Sequence, residues 1–254
     1  MSRDTMSPAE AAPLVLVHGF LSGSSYWAPV RDALESGRQI IAVDLPGFGK
    51  RCHEPAVDSI PGFASFVLAE MDRLGVDRFA LLGHSMGGMI AQEIAHKAPQ
   101  RVEVLILFGT GPEGELPGRF EPIAESRRKV IEQGTGPTVS YIVSNWYVKG
   151  TQDPWFAPSL GLAELACEAA VLGGLTAMES WRGVDFLSRH TMPTLVIWGD
   201  QDRAYPISQE LALWQGISSA RLAVIPDAGH NAHHEKPELF CALLDDFLAH
   251  HHIS

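Results

Sequence analysis

Six short apolar runs punctuate the chain: "LVLVHG" (14–19), "QIIAVDL" (39–45), "RFALLGHS" (78–85), "VEVLILFGT" (102–110), "PTLVIWGD" (193–200) and "ARLAVIPDAG" (220–229). Each is continuously apolar and ends in glycine or a polar residue. A strand with one wet face alternates, whereas a strand buried on both faces does not. The runs therefore predict strands of a parallel sheet covered by helices. Between them, helical periodicity fits residues 26–36, 60–75, 86–98, 206–215 and 235–250. The alternation predicts an α/β architecture, a mostly parallel, doubly wound sheet with right-handed crossovers. In such sheets the ligand sits beyond the carboxyl ends of the strands.

The rhythm breaks between Pro112 and Arg189, where no strand pattern occurs. Helical patterns fit 120–133, 137–148 and 160–179, and Trp146, Tyr147, Trp155, Phe156 and Trp181 crowd the region. We read residues 112–189 as a helical lid (cap) inserted into a core made of 1–111 and 190–254.

Composition narrows the function. The 254 residues are 46% hydrophobic and 19% charged, as in a globular domain, and carry a net charge of −11. That charge argues against nucleic acid or an anionic membrane surface as a partner and says little about a small-molecule substrate. No apolar run is long enough for a membrane span, and the first residues, "MSRDTMSPAEAAP", lack the apolar stretch of a signal peptide. Cys52, Cys167 and Cys241 are scattered and odd in number. A reduced, cytoplasmic protein is the expectation.

Two stretches carry candidate chemistry. Gly83-His84-Ser85-Met86-Gly87 lies between an apolar strand and the helix-compatible "MIAQEIAHKAP". A sharp strand-to-helix turn there would expose the Ser85 hydroxyl, and side chains two residues to either side would clash. The second stretch, "AGHNAHHEKP" (228–237), holds His230, His233 and His234. The spacing invites a metal, but zinc needs three or four converging ligands and no partner cluster is visible. We expect no metal and no cofactor. His230 falls just past a strand end, where a base could reach Ser85. His233 and His234 are expected to cap the last helix or rim a pocket.

Taken in order, "LVHGF" (16–20), "DLPGFG" (44–49), "GHSMGG" (83–88), "PTLVIWGDQDRAYP" (193–206) and "DAGHNAHHEKP" (227–237) resemble the α/β-hydrolase fold family, serine-nucleophile branch. The resemblance spans nearly the whole chain. It implies a catalytic triad of Ser85, Asp202 and His230, in the family's order of nucleophile, acid and histidine. The acid lies three residues past the strand-ending Gly199, with Asp200 as the fallback. The resemblance also implies an oxyanion hole made by the backbone N–H groups of Phe20 and Met86. His18 and Asp44 are read as structural, Asp44 as a turn former. Trp27, Trp146 and Tyr205 are the expected substrate-binding side chains, with Phe20 and Met86 beside them.

The expected activity is a serine esterase or lactonase. Haloalkane dehalogenases and epoxide hydrolases use an aspartate where Ser85 stands. Carbon–carbon bond hydrolases often have a Gly-Pro-rich oxyanion loop, which "HGFLSGSS" lacks. The lyase of menaquinone biosynthesis shares the HGF-type loop and GHNAH-type stretch, but usually carries arginine near the elbow where this chain has Met89. These two chemistries, and a ligand receptor that retains the triad, stay open as alternatives.

Overall fold

The computed structural model describes residues 11–34, 37–114 and 117–251. All six apolar runs form strands: β1 (Leu14–Val17), β2 (Ile40–Val43), β3 (Phe79–His84), β4 (Val102–Phe108), β5 (Thr194–Gly199) and β6 (Ala220–Ile225). They make one sheet in the order β2-β1-β3-β4-β5-β6, with every neighbouring pair parallel.

The continuous apolar runs follow from burial on both faces. In β1, Val15 and Val17 join one core cluster while Leu14 and Leu16 join another on the opposite side. In β4, Leu105 and Leu107 face the first cluster, and Val104, Ile106 and Phe108 the second. Helices α2 (Ile60–Arg73) and α3 (Met86–Lys97) cover the first face through Phe63, Val67, Ile90 and Ile94. The short α1 (Ala28–Ala33) and the terminal α10 (Pro237–His250) cover the second through Val30, Phe240 and Leu244. The helix expected over 26–36 is thus shorter, opens with a 3-10 turn at Ser24–Trp27, and has its last two positions outside the described residues.

Between β4 and β5 the chain forms α4 (Ile123–Gln133), α5 (Thr135–Ser144), α6 (Phe156–Ala163) and α7 (Glu168–Ser180). The single helix expected over 160–179 is two helices bent by 102°. Cys167 adopts an extended backbone at the break, and no glycine or proline marks it in the sequence. After β5 come α8 (Ile207–Gly216) and, beyond β6, the one-turn α9 (Ala232–Glu235). Among the described residues no single helix is long and apolar enough to cross a membrane.

The turn from β3 into α3 is the tightest point of the fold. A methyl group on Gly83 would sit 2.1 Å from the Gly87 carbonyl oxygen, and one on Gly87 would sit 2.2 Å from the Val17 oxygen. Both obstacles are backbone and cannot swing aside. Replacing Gly87 with alanine is therefore expected to destabilise the protein by about 1–3 kcal/mol. It should also displace the elbow from β1. Thermal unfolding of Gly87→Ala checks this; an unchanged melting temperature would contradict the close approach.

Candidate active site

The site gathers at the carboxyl ends of β1, β3, β4, β5 and β6. Ser85 follows β3 with φ 55° and ψ −122°, a region that a side chain other than glycine rarely occupies. Its backbone is tied down on both sides. The Ser85 N–H donates to Phe108 O at 2.9 Å, and Ser85 O accepts from the Thr110 hydroxyl at 2.7 Å. The Thr110 N–H in turn donates to Glu210 Oε1 at 2.9 Å. Glu210 is fully buried on α8, and burial together with the nearby Asp202 charge pushes its carboxyl well above the usual range.

His230 lies in the turn after β6. Its Nδ1 donates to Asp202 Oδ2 at 2.8 Å, which leaves Nε2 free of the carboxylate. Asp202 Oδ1 accepts from the N–H groups of Ala204 and Tyr205 at 2.6 and 3.0 Å, so the carboxylate is fixed before it meets the imidazole. Asp200 is exposed, and among the described residues its carboxylate accepts one long hydrogen bond, 3.4 Å from the Ala228 N–H. Between the two aspartates, the geometry selects Asp202 as the partner of His230.

Ser85 and His230 line one small cavity with Phe20, Trp146 and Tyr205. Its free volume is about 20 Å³, room for one water-sized group. The helical segment and its entry loop complete the walls with Arg119, Phe120, Ile142 and Met178. Tyr205 stacks on His230 at 5.6 Å between ring centres. Its buried hydroxyl lies beside Ser85, and burial raises its proton affinity against the opposing influence of Ser85 and Arg119. Among the described residues, the N–H groups of Phe20 and Met86 have no hydrogen-bond acceptor. Met86 opens α3, so its amide has no partner in the preceding turn.

Trp27 departs from the expectation that it binds substrate. It is fully buried and packs against Tyr26, His84 and His233, away from the cavity. The 3-10 turn at Ser24–Trp27 directs it into the second core cluster.

Four further histidines, His18, His84, His233 and His234, are held by structural contacts. His18 Nδ1 donates to Gly19 O, and its Nε2 accepts from the Leu45 N–H. His84 Nε2 donates to His230 O at 3.0 Å and so holds the turn that carries His230. His233 is neither a cap nor a rim residue, whereas His234 lines a surface groove beside Trp155 and Lys236 and not the cavity at Ser85. His233 is enclosed by Tyr26, Trp27, Phe108 and Phe240. His234 Nε2 donates to Tyr26 O, while its Nδ1 accepts from the Tyr147 hydroxyl and its ring stacks on Trp155. His234 thereby pins the inserted segment to the sheet. Among the described residues, no group of three or more His, Cys, Asp or Glu side chains could hold a metal ion. Asp44, read as a turn residue, receives the Ser24 N–H and hydroxyl and the Lys50 N–H.

The sequence reading missed Arg119, Phe120, Ile142, Met178 and Glu210. The first four come from loops and helices whose facing is set only by tertiary packing. The one local hint was the Gly-Arg-Phe-Glu-Pro run at 118–122, a lone cation between chain-turning residues at the root of the inserted segment.

The sequence model of the alpha/beta hydrolase family matches residues 14–243, and this chain belongs to that family. Over 94% of its length it is 30% identical to the 2-hydroxy-6-oxo-6-phenylhexa-2,4-dienoate hydrolase of Comamonas testosteroni, covering 88% of that protein. It is 27% identical to a pimeloyl-[acyl-carrier protein] methyl ester esterase of Legionella pneumophila (strain Paris), covering 94% of this chain and 96% of the relative. In fold it matches the enol-lactonase from Burkholderia xenovorans LB400, with a TM-score of 0.85, 23% identity, and coverage of 98% and 94% of the two chains.

Burial sets an acid limit on stability. His18, His190 and His234 are buried, and desolvation lowers each from the ordinary 6.5 to about 4. Between those values the unfolded chain binds protons that the folded chain refuses. Stability is therefore full above pH 6.5 and falls as pH drops toward 4, by about 1.4 kcal/mol per pH unit for each such histidine. Urea unfolding between pH 7 and pH 5 should show the midpoint falling steeply; a flat midpoint would contradict these burials.

Proposed function

We propose that the protein is a serine hydrolase that cleaves a carboxylic ester or lactone of a small to medium, partly apolar substrate through an acyl-enzyme. One observation carries the reading. A serine held at positive φ on a strand-to-helix elbow shares a small cavity with a histidine already bonded to a buried aspartate. The arrangement suits nucleophilic catalysis, because a serine hydroxyl needs a positioned base and the base needs an orienting carboxylate.

In this scheme His230 Nε2 takes the Ser85 proton as Oγ adds to the substrate carbonyl carbon. The charge that forms on the carbonyl oxygen is met by the Phe20 and Met86 N–H groups, which among the described residues have no other acceptor to give up. The tetrahedral species collapses, and His230 hands the proton to the departing oxygen. With a lactone that oxygen stays tethered to the acyl group. Water then enters, His230 takes its proton, and the second tetrahedral species releases the acid and restores Ser85. Residues 112–189 act as the lid, with Phe120, Ile142 and Met178 closing over the nucleophile. Trp146 and Tyr205 contact the substrate beside His230. A substrate larger than water enters only when these walls part.

A second reading is a carbon–carbon bond hydrolase on the same triad. The Comamonas relative, a dienoate hydrolase by name, favours it. A panel of aryl esters, lactones and vinylogous diketones separates the two. We expect ester or lactone turnover that falls by about 10⁴-fold or more in Ser85→Ala and His230→Ala. A fluorophosphonate should add once, at Ser85, as read by mass spectrometry. Diketone turnover without ester turnover would install the second reading, and full activity in Ser85→Ala would overturn both.

A further inference from the structure

The cavity contains one charge that the proposed chemistry does not use. Arg119 lines it together with Ser85 and His230, and among the described residues it is the sole lysine or arginine to do so. The cavity's other walls combine the apolar Phe20, Phe120, Ile142 and Met178 with Ser85, Tyr205 and His230.

No ion pair among the described residues neutralises it. Arg119 Nη1 donates to the Glu121 carbonyl oxygen and makes a long 3.4 Å contact to the Ser126 hydroxyl. Its guanidinium carbon lies 4.0 Å from the centre of the Phe120 ring. No carboxylate among the described residues lies within ion-pairing distance of it. The adjacent acid is already engaged, since Glu121 receives Lys129 on one oxygen and Ser126 on the other. Asp202 is bound by His230 and two amides, and Glu210, its carboxyl pushed up by burial, accepts from the Thr110 N–H. A half-buried guanidinium with unused donors is costly unless something pairs with it.

Arg119 also lines the wall of a groove outside the cavity. That groove, of about 500 Å³, runs past Gly114, Pro117, Pro122, Ile123 and Glu179. The arginine thus lines both the small cavity at Ser85 and the larger groove at the surface. The net charge of −11 repels anions at a distance, so any anion drawn here is held by local contact.

We propose that Arg119 is a specificity-determining residue that pairs with a carboxylate carried by the substrate, a short chain away from the carbonyl that Ser85 attacks. The substrate class is then an ester or lactone of an acid with a second, free carboxylate. The planar guanidinium suits a carboxylate, to which it offers two parallel N–H donors. Phe120 beneath it and the Glu121 carbonyl beside it fix its plane, so little is lost on binding. The proposal rests on Ser85 being the nucleophile.

Two aryl esters of like length test it: mono-p-nitrophenyl glutarate, which carries a free carboxylate, and p-nitrophenyl hexanoate, which does not. The readout is the ratio of their kcat/KM values. We expect the wild-type protein to favour the glutarate. In Arg119→Gln the ratio should fall by about 10- to 100-fold, with most of the change in KM, and Arg119→Lys should recover part of it. High ionic strength should lower the wild-type ratio, a measurement that needs no variant to fold. A wild-type preference for the hexanoate, or an unchanged ratio in Arg119→Gln, would overturn the proposal and assign Arg119 to holding its loop. Ser85→Ala in the same assay keeps the two ideas apart. If it still hydrolyses both esters, the nucleophile assignment fails; if it is dead and the ratio does not move with Arg119, only the anion site fails.

Discussion

The site depends on one steric fact, the absence of side-chain atoms at Gly83 and Gly87. Those two positions let α3 begin almost against the end of β1, with backbone where a methyl would otherwise be. That approach turns the chain sharply enough to leave Ser85 in a backbone conformation that serine does not choose by itself. Such strain persists only where neighbours over-determine it. Here the neighbours are Phe108 O, the Thr110 hydroxyl and, through Thr110, the buried Glu210. A hydroxyl is thus presented at the mouth of the sheet by backbone packing, and its chemistry is arranged around it afterwards.

The other groups arrive from separate loops, each at a strand end. Asp202 follows β5, His230 follows β6, and Phe20 follows β1. A parallel sheet brings these ends to one edge however far apart they lie in sequence. The histidine-rich turn shows how one stretch divides its labour. His230 faces the cavity, while His233 is buried in the core behind it and His234 joins that core to the inserted segment. Their shared spacing arises from a short helical turn packed in an aromatic cage.

Much of this was legible in the sequence, for identifiable reasons. The six strands were visible because both faces of the sheet are buried, which leaves uninterrupted apolar runs. The elbow was visible because its glycines are forced by geometry. The rest depended on facing. Trp27 looked like a pocket residue, yet one 3-10 turn sends it to the other side of the sheet. The break between α6 and α7 carries no chain-breaking residue, and an Ala-rich stretch reads through it as one helix. Arg119 is a single charge in a loop, which in sequence looks like any solvated arginine. Only the packing of Phe120 and Met178 around it reveals a cavity.

The inserted helices leave and return between β4 and β5, which are hydrogen-bonded neighbours in fixed register from Leu105 with Thr194 to Phe108 with Ile197. The two ends of the excursion are therefore clamped side by side by the sheet itself. Closing such a loop costs only about 0.6 kcal/mol more for each doubling of its length. The sheet is nearly indifferent to what is spliced there. A different covering segment can be spliced between the same two strands without disturbing the strand register or the Ser85 elbow beneath.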